Sequence, residues 1–203
     1  VISSMYAVWH GPDGLRSIAN RVHKLTTAVV DSLRRSEFKV LNKNYFDTIT
    51  ISTLGASEKI SEVLAATGIN VRLVDKDTLG ISLDETTDEN TVASLLSAFG
   101  CELDPAWEQK ALDSGIPERY NRKTEFLTHP VFHLYRSETE MLRYLRRLAD
   151  KDIALDKAMI PLGSCTMKLN AASEMLPITF KGFSDAHPFL ESHQREGYNP
   201  VSY

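Results

Sequence analysis

One run of residues limits the fold more than any other. From Pro12 to Arg35, Leu15, Ile18, Val22, Leu25, Val29 and Leu33 recur at spacings of three and four. That spacing places them on one side of a long α-helix and gives it a single apolar stripe. Pro12 suits the first helical turn, where a missing N–H costs little. Arg34 and Arg35 fall near the end, where cations favour the negative pole of the helix dipole.

The period then changes. In "YFDTITIS", Phe46, Thr48, Thr50 and Ser52 alternate with Tyr45, Asp47, Ile49 and Ile51, the pattern of a strand. "SEKISEVLAATG" reads as a short helix with Ser57 as cap and Gly68 as stop. "NVRLVD" and "LGISLD" read as two strands joined by a turn at "KDT". "DENTVASLLSAFG" reads as a helix capped by Asp88 and stopped by Gly100. Helix, strand, helix, strand, strand, helix predicts an α+β layer, with helices on one face of a mostly antiparallel sheet.

Residues 101–130 carry Pro105, Gly115, Pro117 and Pro130 and read as an irregular connection. Ser137 and Glu140 then form a capping box. It opens a helix with Met141, Leu142, Leu145 and Leu148 as its expected buried stripe and Arg143, Arg146 and Arg147 on the other side. A further short helix is expected near Ala171–Met175, capped by Asn170 and ended by Pro177.

Composition narrows the function class. The 203 residues are 42% hydrophobic and 25% charged, as in a soluble globular protein. A net charge of −4 argues against a general nucleic-acid binder. No run approaches the roughly 18 apolar residues of a membrane span. Cys101 and Cys165 form neither a disulfide framework nor a zinc spacing. The chain opens on "VISSMYAVWHGP" without an initiator Met and stops at "EGYNPVSY". It reads as an internal fragment, so missing targeting signals carry no information.

The chemically densest stretch is "MIPLGSCTMKLNAASEMLPITF", where Ser164, Cys165, Thr166 and Lys168 crowd together. Ser164 and Lys168 are four apart, one more than the Ser-x-x-Lys nucleophile needs. Cys165 needs a base, and spacing does not select one among His129, His133 and His187. One glycine is too few for a phosphate loop. Spacing therefore leaves a structural loop and helix cap or a pocket wall. His10, in "WHGPDG", sits at a helix entrance as a capping or packing residue. His129 and His133 lack a third metal ligand, and no metal is expected. His187 precedes a proline and is expected to be extended. "DETTDEN", without the central Gly of a calcium loop, reads as a solvated turn.

A resemblance goes further. "SSMYAVWHGPDGL", "FDTITI", "LGISLDET", "FLTHPVFHLYRSETEMLRYLRRLADKDIAL" and "MIPLGSCTMKLNAASEMLPITF" occur in order over nearly the whole chain. Together they resemble the P-protein family of the glycine cleavage system, the pyridoxal-phosphate-dependent, aminomethyl-transferring glycine dehydrogenases. Arg136 departs from the expected pattern, which has His there.

The resemblance implies an incomplete fold-type I α/β transferase. Residues 1–115 would end an N-terminal half, as a linking helix and small α+β domain. Residues 116–203 would be the inter-half linker and the start of the cofactor-binding C-terminal half. It implies decarboxylation of glycine on pyridoxal phosphate and transfer of the aminomethyl group to the lipoyl arm of the H-protein. It also implies contact with the other glycine cleavage proteins and a homodimer. The family's cofactor lysine lies downstream in a glycine-rich His-Lys block absent here, so no residue of this chain is expected to be catalytic and the chain alone is expected to be inactive. Ser164, Cys165 and Thr166 would be pocket wall. A eukaryotic source, favoured by "AVWHGP", would imply mitochondria, and a bacterial one the cytoplasm. The competing reading is a stand-alone small-molecule-binding or regulatory α+β domain. It requires a self-contained core, whereas an enzyme portion requires an exposed apolar face over residues 138–180.

Overall fold

The computed structural model describes residues 1–109, 115–151, 173 and 176–198. The chain divides into two units, Val1–Tyr144 and Leu145–Tyr203.

The long helix is present and longer than its stripe. Helix α1 runs Ile2–Arg34, with non-helical torsions at Gly11 (φ 59°, ψ −174°). Its second arm begins at Pro12, as expected. The added finding is a first arm, Ile2–His10, continuous with it across the kink. The expected stripe packs in its later turns, where Leu25, Val29 and Leu33 are wholly buried. Each contributes about 1.5–3 kcal/mol relative to exposure.

The remaining elements of the first unit are β1 (Lys39–Val40), β2 (Thr48–Ser52), α2 (Ser57–Ala66), β3 (Arg72–Asp75), β4 (Thr78–Ser82) and α3 (Glu89–Ala98). The sheet is antiparallel throughout, in the order β1-β2-β4-β3. Ile49 pairs with Ile81 and Ile51 with Leu79, and all four are buried. Their neighbours Thr48, Thr50, Thr78 and Ser82 are not. The period-two alternation therefore gives one covered face and one open one. Helices α1, α2 and α3 close the core with Leu33, Leu64, Val92 and Leu96.

The caps follow their local chemistry. Asp88 Oδ1 accepts the Thr91 N–H at 2.8 Å and the Thr91 hydroxyl at 2.6 Å. Ser57 is displaced by one from its expected role: the cap is Ala56, and the buried Ser57 hydroxyl pairs with Thr53 Oγ1 at 2.6 Å. Gly68 and Gly100 end their helices with φ of 82° and 67°, the left-handed stop that glycine adopts without penalty.

Residues 101–109 and 115–130 hold only two 3₁₀ turns, Trp107–Gln109 and Glu118–Tyr120, in keeping with an irregular connection. Gly115 seats this connection on the core. Tyr45 donates its N–H to the Gly115 carbonyl at 2.9 Å. A methyl on Gly115 would meet the Tyr45 ring at 2.7–2.8 Å, so only glycine fits the approach.

Two short helices follow, α4 (Val131–Leu134) and α5 (Glu138–Ala149). Ser137 Oγ accepts the Glu140 N–H at 3.3 Å, one half of the capping box. The expected buried stripe of α5 is corrected: the helix is amphipathic, but Leu142 is 58% exposed and none of its residues is buried. Periodicity identifies an apolar side without saying that anything covers it. The expected helix near Ala171–Met175 and its cap Asn170 lie outside the described residues apart from Ser173, which is helical; Pro177 sits in a 3₁₀ turn, Leu176–Thr179.

Candidate functional site

Ser164, Cys165, Thr166 and Lys168 lie outside the described residues. The described chemistry concentrates instead where "WHGPDGL" meets "FLTHPVFHLYRSE", at the α1 kink.

Gly11 and Pro12 are buried. The Gly11 torsions fall in a region essentially reserved for glycine. The space a side chain would need is taken by the Phe132 carbonyl and the Arg136 guanidinium, whose Cζ would lie 2.8 Å from a Gly11 Cβ. Arg136 Nη2 donates to the Phe132 carbonyl at 3.1 Å. Five residues past Gly11, Arg16 caps the Phe126 ring at 4.9 Å, and Arg122 lies 5.4 Å from the same ring. Guanidinium–ring contacts of this kind are worth about 0.5–1 kcal/mol when exposed.

The histidines here are engaged locally. His129 Nδ1 accepts the Val131 N–H at 3.2 Å. His133 Nε2 lies 3.0 Å from the Leu127 carbonyl, so it donates there. His10 stacks obliquely on Tyr6, 4.3 Å between ring centres. It lies inside the first arm of α1 rather than at a helix entrance. Burial, and then the nearby Glu85 carboxylate, raise the Tyr6 phenol above its ordinary value. In the second unit, His187 Nδ1 accepts the Phe189 N–H at 3.0 Å. Among the described residues no three His, Cys, Asp or Glu side chains gather as a metal site.

His23, which spacing did not single out, is buried in the α1–sheet core. Its Nδ1 donates to the Phe46 carbonyl at 2.8 Å, its ring stacks on Phe46, and its Nε2 has no hydrogen-bond partner. The only sequence signal was its place beside Val22 on the buried side of α1.

The "DETTDEN" turn is solvated, as expected. Asp84 accepts the Thr86 hydroxyl at 2.7 Å and its N–H at 2.9 Å, with Thr87 adding both of its own donors at 3.1 Å. The Thr86 hydroxyl bond is the main reason that the Asp84 carboxyl is held below its ordinary value. Arg146 pairs with Asp150 at 3.0 Å, an exposed surface bridge of small energetic weight.

Pyridoxal phosphate needs a lysine for its aldehyde and convergent donors for its phosphate. Among the described residues the buried polar groups are His23, Thr26, Thr27, Ser32, Thr53 and Ser57, with no lysine. Neither described cavity includes a lysine in its lining. The described residues therefore do not fit the cofactor by themselves.

A one-faced antiparallel sheet under three helices, followed by a segment with exposed apolar side chains and no buried residue among those described, defines an α/β protein portion. The family model "Glycine cleavage system P-protein" matches residues 1–99. Glycine dehydrogenase (decarboxylating) 2 of Pseudomonas putida is 52% identical over 205 residues, covering 98% of this chain and 21% of that protein. The similarly named glycine dehydrogenase (decarboxylating) of Nitrobacter winogradskyi is 51% identical over 201 residues, at 98% and 21% coverage. That of Cereibacter sphaeroides is 50% identical over 199 residues, at 98% and 20%. The family match covers just under half of this chain, and the chain spans about a fifth of the length of the curated relatives it matches.

Proposed function

We propose that the chain serves as part of a glycine decarboxylase. That enzyme decarboxylates glycine on pyridoxal phosphate and passes the aminomethyl group to the lipoylated H-protein. Identity near 50% across almost the whole chain supports this reading.

The structural observation that carries it is the distribution of burial. Residues from Val22 to Trp107 hold a core cluster. Among the described residues from Gly115 to Gly197, none is buried. Leu134, Leu142, Ile178, Phe180 and Phe189 are 52–89% exposed. Soluble proteins seldom leave so many large apolar groups uncovered, and a stand-alone regulatory domain requires a core that the described residues of this segment do not form.

On this reading residues 1–115 end an N-terminal fold-type I half, and residues 116–203 are the inter-half linker and the start of the cofactor-binding C-terminal half. Pyridoxal phosphate would supply the electron sink for the carbanion left by CO2. This chain's part would be pocket wall at Ser164, Cys165 and Thr166, whose small hydroxyl and thiol groups suit a carboxylate or phosphate. The partners would be glycine, the H-protein, the other glycine cleavage proteins and a second copy of the enzyme. The relatives named above are bacterial. They lend no support to the mitochondrial expectation, and a bacterial source would place the enzyme in the cytoplasm.

The test is a segment exchange. This chain replaces the matching 205 residues of the Pseudomonas putida protein, and exchange of labelled bicarbonate into glycine is measured with lipoylated H-protein. Activity within about tenfold of the parent is expected. A chimera that folds and binds pyridoxal phosphate yet exchanges no label would refute the reading.

A further inference from the structure

The contacts around the α1 kink have a direction that the enzyme reading does not use. The segment 122–136 is bonded mostly to itself. His133 reaches back to the Leu127 carbonyl, His129 holds the Val131 N–H, and Arg136 holds the Phe132 carbonyl. Leu127 sits at φ 52°, a left-handed torsion that a bulky residue keeps only where its surroundings impose it. The segment touches α1 at the bend and again in the turn beyond it. Arg136 and Phe132 fill the space over Gly11, and Phe126 lies under Arg16.

The segment then runs directly into α5. Tyr135 stacks on Tyr144 at 4.2 Å with planes 11° apart. Ser137 caps the same helix. One short stretch thus grips the bend of α1 at one end and the opening turns of α5 at the other.

We propose that residues 122–136 are a strap that couples the kink of α1 to the start of α5, with Arg136 as the positioning residue that seats it over Gly11. Helix α1 keeps its bent form only while the strap is seated, and the first turns of α5 are held by the same contact. The planar guanidinium suits this seat. It fills the space over a backbone without Cβ while keeping an N–H on a carbonyl, and a lysine ammonium offers no such plane. The coupling rests on this geometry alone and stands whether or not the chain supports glycine decarboxylation.

Hydrogen exchange read by mass spectrometry on the full chain tests it, with Arg136→Ala, Arg136→Lys and Gly11→Ala. Arg136→Ala is expected to speed exchange about tenfold in both residues 2–10 and residues 138–144. Residues 22–33, in the core, should keep their rates. Arg136→Lys should restore little of the protection, and Gly11→Ala should reproduce the loosened pattern from the other side of the contact. Trypsin cleavage after the exposed Arg122 and Lys123 should accelerate in parallel. Wild-type rates in Arg136→Ala would overturn the proposal. So would loosening of residues 138–144 without residues 2–10, or equal loosening of the core, which would mark Arg136 as ordinary structural packing.

Discussion

Replacing Gly115 with alanine gives a sharp test of how the irregular connection is held to the core. Its φ lies outside the left-handed region, so the added methyl tests contact rather than backbone strain. That methyl would stand 2.7 Å from Tyr45 Cζ and 2.8 Å from Cε1 and Cε2. Carbon atoms pack at about 3.5–4.0 Å, so relief requires a movement of about 1 Å. The ring is only 8% exposed, and the Tyr45 N–H bond to the Gly115 carbonyl resists separation. Overpacking of this kind costs about 1–3 kcal/mol. With a urea slope of about 1–3 kcal/mol/M, the unfolding midpoint should fall by about 1 M. Fluorescence of the buried Trp107 reports the transition. The decisive arm is a cycle with Tyr45→Leu, which removes the obstructing ring. In that background Gly115→Ala should cost less than about 0.5 kcal/mol, because residues in contact are non-additive. Equal costs in both backgrounds would refute the steric reasoning.

Other outcomes follow from the same structure. Ile49→Ala removes a fully buried side chain at the centre of the sheet and should destabilise by about 2–5 kcal/mol in urea unfolding; a loss below 1 kcal/mol would contradict that core. Asp84→Asn and Asp88→Asn test the two lowered carboxyls, Asp84 bonded chiefly by Thr86 and Asp88 chiefly by Thr91. A depressed folded value gives stability that is present above the ordinary value of 3.8 and lost as pH falls through the lower folded value. Both variants should therefore melt below the parent at pH 7, with the gap closing under pH 3.8; a gap independent of pH would refute the assignment. In the chain alone, the amides of residues 145–149, beyond the strap's contact with α5, should exchange within minutes while those of residues 25–33 stay protected, because no described residue of α5 is buried; equal protection would contradict the observed exposure of that helix.

The sequence rendered some of this legible and hid the rest for identifiable reasons. Ile49 and Ile51 were readable because a one-faced sheet writes its period directly into the chain. Asp88 was readable because a cap and its Thr91 partner lie three residues apart. Strand β1 was not: two residues carry no period, and its place depends on the distant Thr50, whose carbonyl accepts the Leu41 N–H and whose N–H binds Asn42. The order β1-β2-β4-β3 was equally hidden, since it rests on pairings between remote segments. "GPDG" gave the start of the second arm at Pro12, yet a Gly-Pro pair reads alike as a beginning or a bend. Arg136 over Gly11 joins residues 125 positions apart, beyond any local signal. In α5 the apolar period was right and its burial was not, because burial depends on what else is present.

The most direct test of the account uses pyridoxal phosphate as the probe. The chain alone and the Pseudomonas chimera are titrated with it, and the visible absorbance of the lysine-bound cofactor is followed. The chimera should show a saturable band at one equivalent, and the chain should show none above that of free cofactor. A saturable band in the chain alone, lost on replacing one of its own lysines, would contradict the claim that this segment furnishes pocket wall and not the cofactor lysine.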